Sequence, residues 1–124
     1  MDPLKKKFQE KSSALAVEIK SMLKEHGSMK VDEVILSQVY GGARGVKMMV
    51  WETSQLDPIE GIRFRGYSIP ELKEVLPKGP DGKEPLPEGL FWLMLVGEIP
   101  TEEEVEWLAK EWASKSELPA HTTD

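Results

Sequence analysis

The stretch from Trp51 to Pro70, WETSQLDPIEGIRFRGYSIP, leaves its backbone fewer choices than any other part of the chain. Leu56-Asp57-Pro58 opens a turn, because proline fixes its own φ, excludes Asp57 from the helical region, and leaves the aspartate free to bond back to the main chain. Glu60-Gly61 closes that turn. From Ile62 to Tyr67 large apolar side chains alternate with cationic ones, the period of a strand with one buried face and one wet or paired face. Ser68-Ile69-Pro70-Glu71 then predicts a helix start: a serine able to accept a backbone N–H, a proline in the first turn, and a glutamate three residues after the serine.

The chain on either side falls into helices and loops. Asp2-Pro3 offers an N-cap and an N1 proline, and the segment to His26-Gly27 reads as a helix ended by glycine, with Leu4, Phe8, Leu15, Ile19 and Met22 in one stripe. Ser28 to Val50 lacks a helical period. Gly41-Gly42-Ala43-Arg44-Gly45 marks a bend within it, and Val46 to Trp51 suits a strand. The helix opened by Ser68 carries Leu72, Val75 and Leu76 and stops at Pro77. Lys78 to Pro85 is a loop of glycine, proline and charge. Pro87 starts a helix to Gly97 that is apolar nearly all round, so it needs burial on most sides. A chain of 124 residues has little material to surround it, which points to a piece of something larger or an obligate oligomer. Thr101 and Glu104 form a second capping box for a helix running to about Ser116, and Leu118-Pro119 looks like a further helix start. The fold class expected is mainly α, with one or two small strands near the middle.

Composition excludes several functions. With no cysteine, thiol catalysis, disulfides and cysteine-based metal sites are ruled out. The net charge of -6 argues against nucleic acid as a main partner. The longest apolar run, Leu90 to Val96, is far short of the roughly 20 residues that a membrane helix needs. The N-terminus MDPLKKKFQEK has no long apolar core, so it is not a secretory signal, and it is too acidic for a mitochondrial presequence.

Few residues are arranged for chemistry. The two histidines, His26 and His121, lie at a helix end and near the last residues, a poor basis for a metal site or an acid–base pair. His26 is placed to bond the free carbonyls of its helix. Arg44 stands apart. The glycines around it either shape a turn or let amides and a guanidinium approach an anion such as a phosphate. Arg63 and Arg65 share one strand face and need partners, for which Glu52, Asp57 and Glu60 are available. Trp51, Trp92, Trp107 and Trp112 sit at core-like spacings.

The run from Glu52 to Glu71, followed in order by EPLPEGLFWL, GEIPT and LPAH, resembles the N-terminal part of the citrate synthases, of the mitochondrial, eukaryotic type. The match extends from about His26 to His121. The resemblance implies residues 1–124 as an N-terminal segment of the large domain of an all-α fold, with the small domain and most of the catalytic site absent. It implies a homodimer in the mitochondrial matrix that condenses acetyl-CoA with oxaloacetate and water to citrate and CoA. Neither membrane nor nucleic acid is a partner, and no cofactor is tightly bound; acetyl-CoA and CoA come and go as substrate and product. The chemistry implied is a Claisen-type condensation using a carboxylate base and two histidines, all of which lie downstream of the matched segment in that family. The chain alone is therefore expected to be inactive, and to begin near a mature start or lack its presequence. The arginine of the family's GGxRG turn contacts the phosphates of CoA, a role that carries over to Arg44. Ala43 replaces a common methionine, and Val46-Lys47-Met48-Met49 departs from a frequent glycine. The resemblance gives His121, in LPAH, a structural place at a helix start.

Three other readings fit. A 2-methylcitrate synthase would use propionyl-CoA with the same machinery. A non-catalytic truncated product would pair with full-length subunits. A small acidic interaction module would dock a partner on the Leu90–Val96 helix.

Overall fold

The computed structural model describes residues 2–50, 53–80 and 82–117. The described residues of Met1–Lys11 and Glu52–Asp124 form one unit, and those of Ser12–Trp51 form another. In chain order the elements are α1 (Pro3–His26), α2 (Leu36–Tyr40), β1 (Ser54–Asp57), β2 (Gly61–Phe64), β3 (Tyr67–Ser68), α3 (Ile69–Val75), α4 (Pro87–Val96) and α5 (Glu102–Ser114). The chain is mainly helical with one small sheet, as its sequence predicts. Trp51, Glu52, His121 and the expected helix start at Leu118-Pro119 lie outside the described residues.

In the first unit two successive hairpins make an antiparallel sheet of order β1-β2-β3. The first is closed by the turn foreseen at Asp57-Pro58. Asp57 Oδ1 accepts the amides of Ile59 and Glu60, each at 2.8 Å, and Gly61 takes a left-handed φ of 88° opposite Asp57. Such a short connection needs that left-handed residue to match the strand twist. The second hairpin corrects the continuous strand expected from Ile62 to Tyr67. Phe64 pairs with Tyr67, so Arg65-Gly66 is a two-residue loop, and both residues have positive φ, 49° and 89°. That is the geometry of a type I′ turn, which elsewhere favours Asn-Gly.

An arginine in the left-handed region costs roughly 1–2 kcal/mol, and here a distant contact offsets it. The half-buried guanidinium of Arg65 donates through Nε (3.1 Å) and Nη2 (2.7 Å) to the carbonyl of Met94, in the last turn of α4. A cation on the free carbonyls at a helix C-terminus is favourable both as a hydrogen bond and against the helix dipole. Arg63, two residues earlier, does something different. It pairs with Glu60 at 3.1 Å and Glu71 at 3.6 Å and donates to the Gly66 carbonyl at 3.0 Å. The two arginines therefore do not form one ion-pair face. Asp57, named as a possible partner, spends its hydrogen bonds on backbone amides.

Both predicted capping boxes form. Ser68 N–H and Oγ donate to Glu71 Oε2 at 2.7 and 2.6 Å, and Thr101 N–H donates to Glu104 Oε2 at 3.0 Å. Gly97, with φ 81°, ends α4 where the sequence places its stop. The core gathers around α4. Leu93 packs with Leu72 and Leu76 of the α3 segment, with Phe64 and Tyr67 of the sheet at its edge. One step round the helix, Trp92 and Val96 pack with Leu108 of α5, joined by Leu4 of α1 and by Trp107. Burial of α4 is one-sided: Gly89, Trp92, Leu93 and Val96 are buried, whereas Phe91 and Leu95 are exposed. Trp112 is also exposed and not in the core; its ring meets Phe91 edge to face at 5.2 Å.

α1, whose residues up to Lys11 belong to the first unit, has no fully buried residue, and Leu15, Ile19 and Met22 in the second unit stay exposed. Gly27 follows the last residue of α1 at a position that excludes a side chain, since a Cβ there would collide with the Leu23 carbonyl. His26 is exposed, with Nε2 3.9 Å from Glu25, and takes up no carbonyl among the described residues. Residues 46–50 form no strand, a second correction: an extended run needs a neighbour to pair its amides, and none borders it among the described residues. α2 was hidden from the sequence reading because a five-residue helix is too short to show a period.

Two expectations follow. Arg65→Ala lowers stability by about 2 kcal/mol through loss of the charged hydrogen bonds, while Arg65→Gly, which also relieves the left-handed strain, costs about 1 kcal/mol less; denaturant melts of the two variants separate these contributions. The second concerns acid. The amides of Glu60 and Ile59, and then Arg63, hold the Asp57 carboxyl below its ordinary range, and the Ser68 hydroxyl and amide, with Arg63, do the same for Glu71. A depressed folded-state pKa adds stability that is complete above the unfolded carboxylate range, about 4, and is lost as pH falls through the folded values. Protection of the Ile59 and Glu60 amides against hydrogen exchange should therefore fall on acidification below about pH 4, and less so in Asp57→Asn.

Candidate functional site

The site begins with a backbone problem: how a five-residue helix ends. Ile35 donates its amide to Gln38 Oε1 at 3.0 Å, which starts α2. At the other end Gly41 N–H bonds the Ser37 carbonyl at 2.9 Å and Ala43 N–H reaches back to Gln38 at 2.8 Å. Between them Gly42 has φ 76°, so the helix closes with the 6→1 bond of a Schellman motif and glycine at the left-handed position. A second turn follows at once. Val46 N–H bonds the Ala43 carbonyl at 3.2 Å, with Arg44 first of the two central residues and Gly45, φ 74°, second. Positive φ at the second central residue defines a type II turn and calls for glycine.

Each glycine of the bend thus has a structural task. Gly42 and Gly45 supply left-handed backbone, and a Cβ on Gly41 would come within 2.8 Å of the Ser37 carbonyl. Ala43 is itself left-handed, with φ 59°. Arg44 is then the residue whose side chain the turn does not use. It is exposed, and among the described residues no acidic group pairs with it. A guanidinium presents a planar fork of donors that matches the oxygens of a phosphate.

The surroundings add a signal that reading the glycines alone missed. From Val34 to Val50 there is no acidic residue, and Arg44 and Lys47 are the only charged ones, in a chain with 22 acidic residues overall. Lys47 is exposed and, with Gly45, Val46, Met48 and Met49, lines a concavity of about 370 Å³ directly after the turn. The other sequence candidates have roles within the first unit. Arg63 and Arg65 are consumed by the sheet and α4. Trp92 is a core residue and Trp107 borders the core. Among the described residues no group of three or more His, Asp or Glu side chains could hold a metal ion, and no helix is long and apolar enough to cross a membrane.

The turn and everything after it, residues 42–124, match the family model described as "Citrate synthase, C-terminal domain". The chain belongs to the citrate synthase family. It is 61% identical over 116 residues to "Citrate synthase, mitochondrial" of Aspergillus niger, an alignment covering 94% of this chain and 24% of that protein. With the Neurospora crassa protein of the same name identity is 60% over 116 residues, 94% of this chain and 25% of that one. It is also 54% identical over 123 residues to "2-methylcitrate synthase, mitochondrial" of Yarrowia lipolytica, covering 99% of this chain and 26% of the relative. The chain thus spans about a quarter of the length of the curated relatives it matches.

The open surroundings of Gly42 allow a clean test of the turn. No atom lies within 4 Å of a Cβ built there, so Gly42→Ala introduces backbone strain and no steric clash. It should cost about 1 kcal/mol, read as a lowered denaturation midpoint with unchanged m-value.

Proposed function

We propose that this chain is part of a citrate synthase that condenses acetyl-CoA with oxaloacetate and water to give citrate and CoA. In this reading it works as a homodimer in the mitochondrial matrix. Residues 1–124 correspond to an N-terminal segment of the large domain, as the order of the motifs from EGIRFRG to LPAH suggests, and Arg44 contacts the phosphates of CoA. Family membership supports the reaction, and the names of the Aspergillus and Neurospora relatives support the compartment. The observation that carries the binding role is the turn: an exposed arginine without an acidic partner among the described residues, flanked by backbone that is fixed without using its side chain. Arg44 holds its ligand by charge and by a two-pronged hydrogen bond, and it moves no proton. Proton removal from the acetyl methyl and protonation of the oxaloacetate carbonyl fall to residues beyond the matched segment.

A second reading has its own support. The Yarrowia relative named as a 2-methylcitrate synthase aligns with almost the whole chain. Rates with propionyl-CoA and acetyl-CoA as competing substrates of the full-length protein separate the two.

The binding role is tested by Arg44→Ala in the full-length protein. The apparent KM for acetyl-CoA should rise about tenfold, the equivalent of roughly 1.4 kcal/mol, with the KM for oxaloacetate unmoved. An unchanged acetyl-CoA dependence removes Arg44 from the site.

A further inference from the structure

We propose that residues 2–11 form a strap over Trp92 that opens ahead of the rest of the first unit, and that lysine ion pairs hold it shut, so that salt releases it.

The inference starts from hydrogen bonds that are not made. Among the described residues two buried side-chain polar atoms have no partner, Trp92 Nε1 and Glu88 Oε2. Both belong to α4, four residues apart and so on one face of the helix. Trp92 is fully buried, in the cluster with Val96 and Leu108. A buried donor without an acceptor raises the free energy of the closed arrangement, and the penalty is relieved when water reaches the group. Leu93, just as buried, belongs to the apolar cluster with Leu72 and Leu76 and gains nothing from water.

The start of α1 stands over Trp92. Leu4 packs against its cluster, and the ammonium of Lys7 lies 5.7 Å from the centre of the Trp92 ring, where a cation is attracted to the indole face. The same ammonium pairs with Glu104 at 2.6 Å, and one turn further on Lys11 pairs with Glu98. Leu4, Lys7 and Lys11 fall on one stripe of the helix and fasten the segment along it.

These fastenings release cheaply. Lys11 and Glu98 are each about half exposed, so water and ions compete for their pair. When Lys7 leaves, Glu104 keeps a partner, since its Oε2 accepts the Thr101 amide of the α5 capping box at 3.0 Å. Asp2 Oδ1 accepts the Lys5 amide at 2.9 Å, so the first turn of α1 carries its own cap as it lifts. The segment therefore moves as a formed helix, and the indole N–H of Trp92 gains water.

The test is hydroxyl-radical footprinting of the full-length protein, read by peptide mass spectrometry as the protection of single side chains relative to their intrinsic reactivity. Leu93 is the internal control, because it is as buried as Trp92. At low salt Trp92 should be about tenfold less protected than Leu93. Raising the salt from about 0.05 M to about 0.5 M should increase labelling of Trp92 about threefold and leave Leu93 unmoved. Lys7→Gln should bring the high-salt labelling of Trp92 at low salt, and Lys7→Arg should restore the parent behaviour. Equal protection of Trp92 and Leu93 at every salt concentration overturns the strap. A parallel rise of both also overturns it, since the whole unit then loosens together. If Lys7→Gln leaves the labelling of Trp92 unchanged, the ion pair does not hold the segment and the proposal fails.

Discussion

In the first unit a long-range pair of hydrogen bonds runs from the guanidinium of Arg65 to the carbonyl of Met94. It links the tip of a hairpin to the C-terminal turn of the helix around which the core is built. The geometry suits the chemistry at both ends. A tight hairpin needs a residue of positive φ at its tip, and a helix end needs a donor for its free carbonyls. Asparagine would meet the first need with less strain but could not reach the second. Arginine accepts the strain because its side chain is long enough to span the gap and carries a forked donor. The same hairpin brings Phe64 and Tyr67 against Leu72, Leu76 and Leu93.

Around that link, polar and apolar terms divide the work. The exposed network of Asp57, Glu60, Arg63, Glu71 and Ser68 defines the turns and the start of α3, each contact modest because water competes for it. Burial of Trp92, Leu93, Val105 and Leu108 supplies the larger share of stability, at roughly 25 cal/mol per Å² of apolar surface. α4 serves both. Its buried face divides between two clusters, while Phe91 and Leu95 on its other face remain open.

Much of this was legible in the sequence because the signals are local. Ser68 with Glu71, Thr101 with Glu104, Pro87 and Gly97 each report on residues three or four positions away, and the helices start or stop beside them. Arg65 defeated the same reading. The alternation Ile62-Arg63-Phe64-Arg65 looks like a strand, and the contact that makes a left-handed arginine tolerable lies 29 residues further on. Val46 to Val50 failed for a related reason, since branched and apolar residues suit a strand only where another strand is at hand to pair. At the candidate site the bend itself was readable from its glycines. What each glycine does was not, because a Schellman closure and a type II turn in succession use the same three residues that a phosphate loop would.

The turn at Arg44 has a further property. The hydrogen bonds described for it join Ile35 to Gln38, Ser37 to Gly41, Gln38 to Ala43 and Ala43 to Val46, all within twelve consecutive residues. A loop shaped from inside itself behaves as a cassette. Insertions or deletions between Ile35 and Val46 would break its closure, while changes in length on either flank leave the cation at the same place relative to its own backbone. Such a segment is a natural unit to graft whole onto another scaffold.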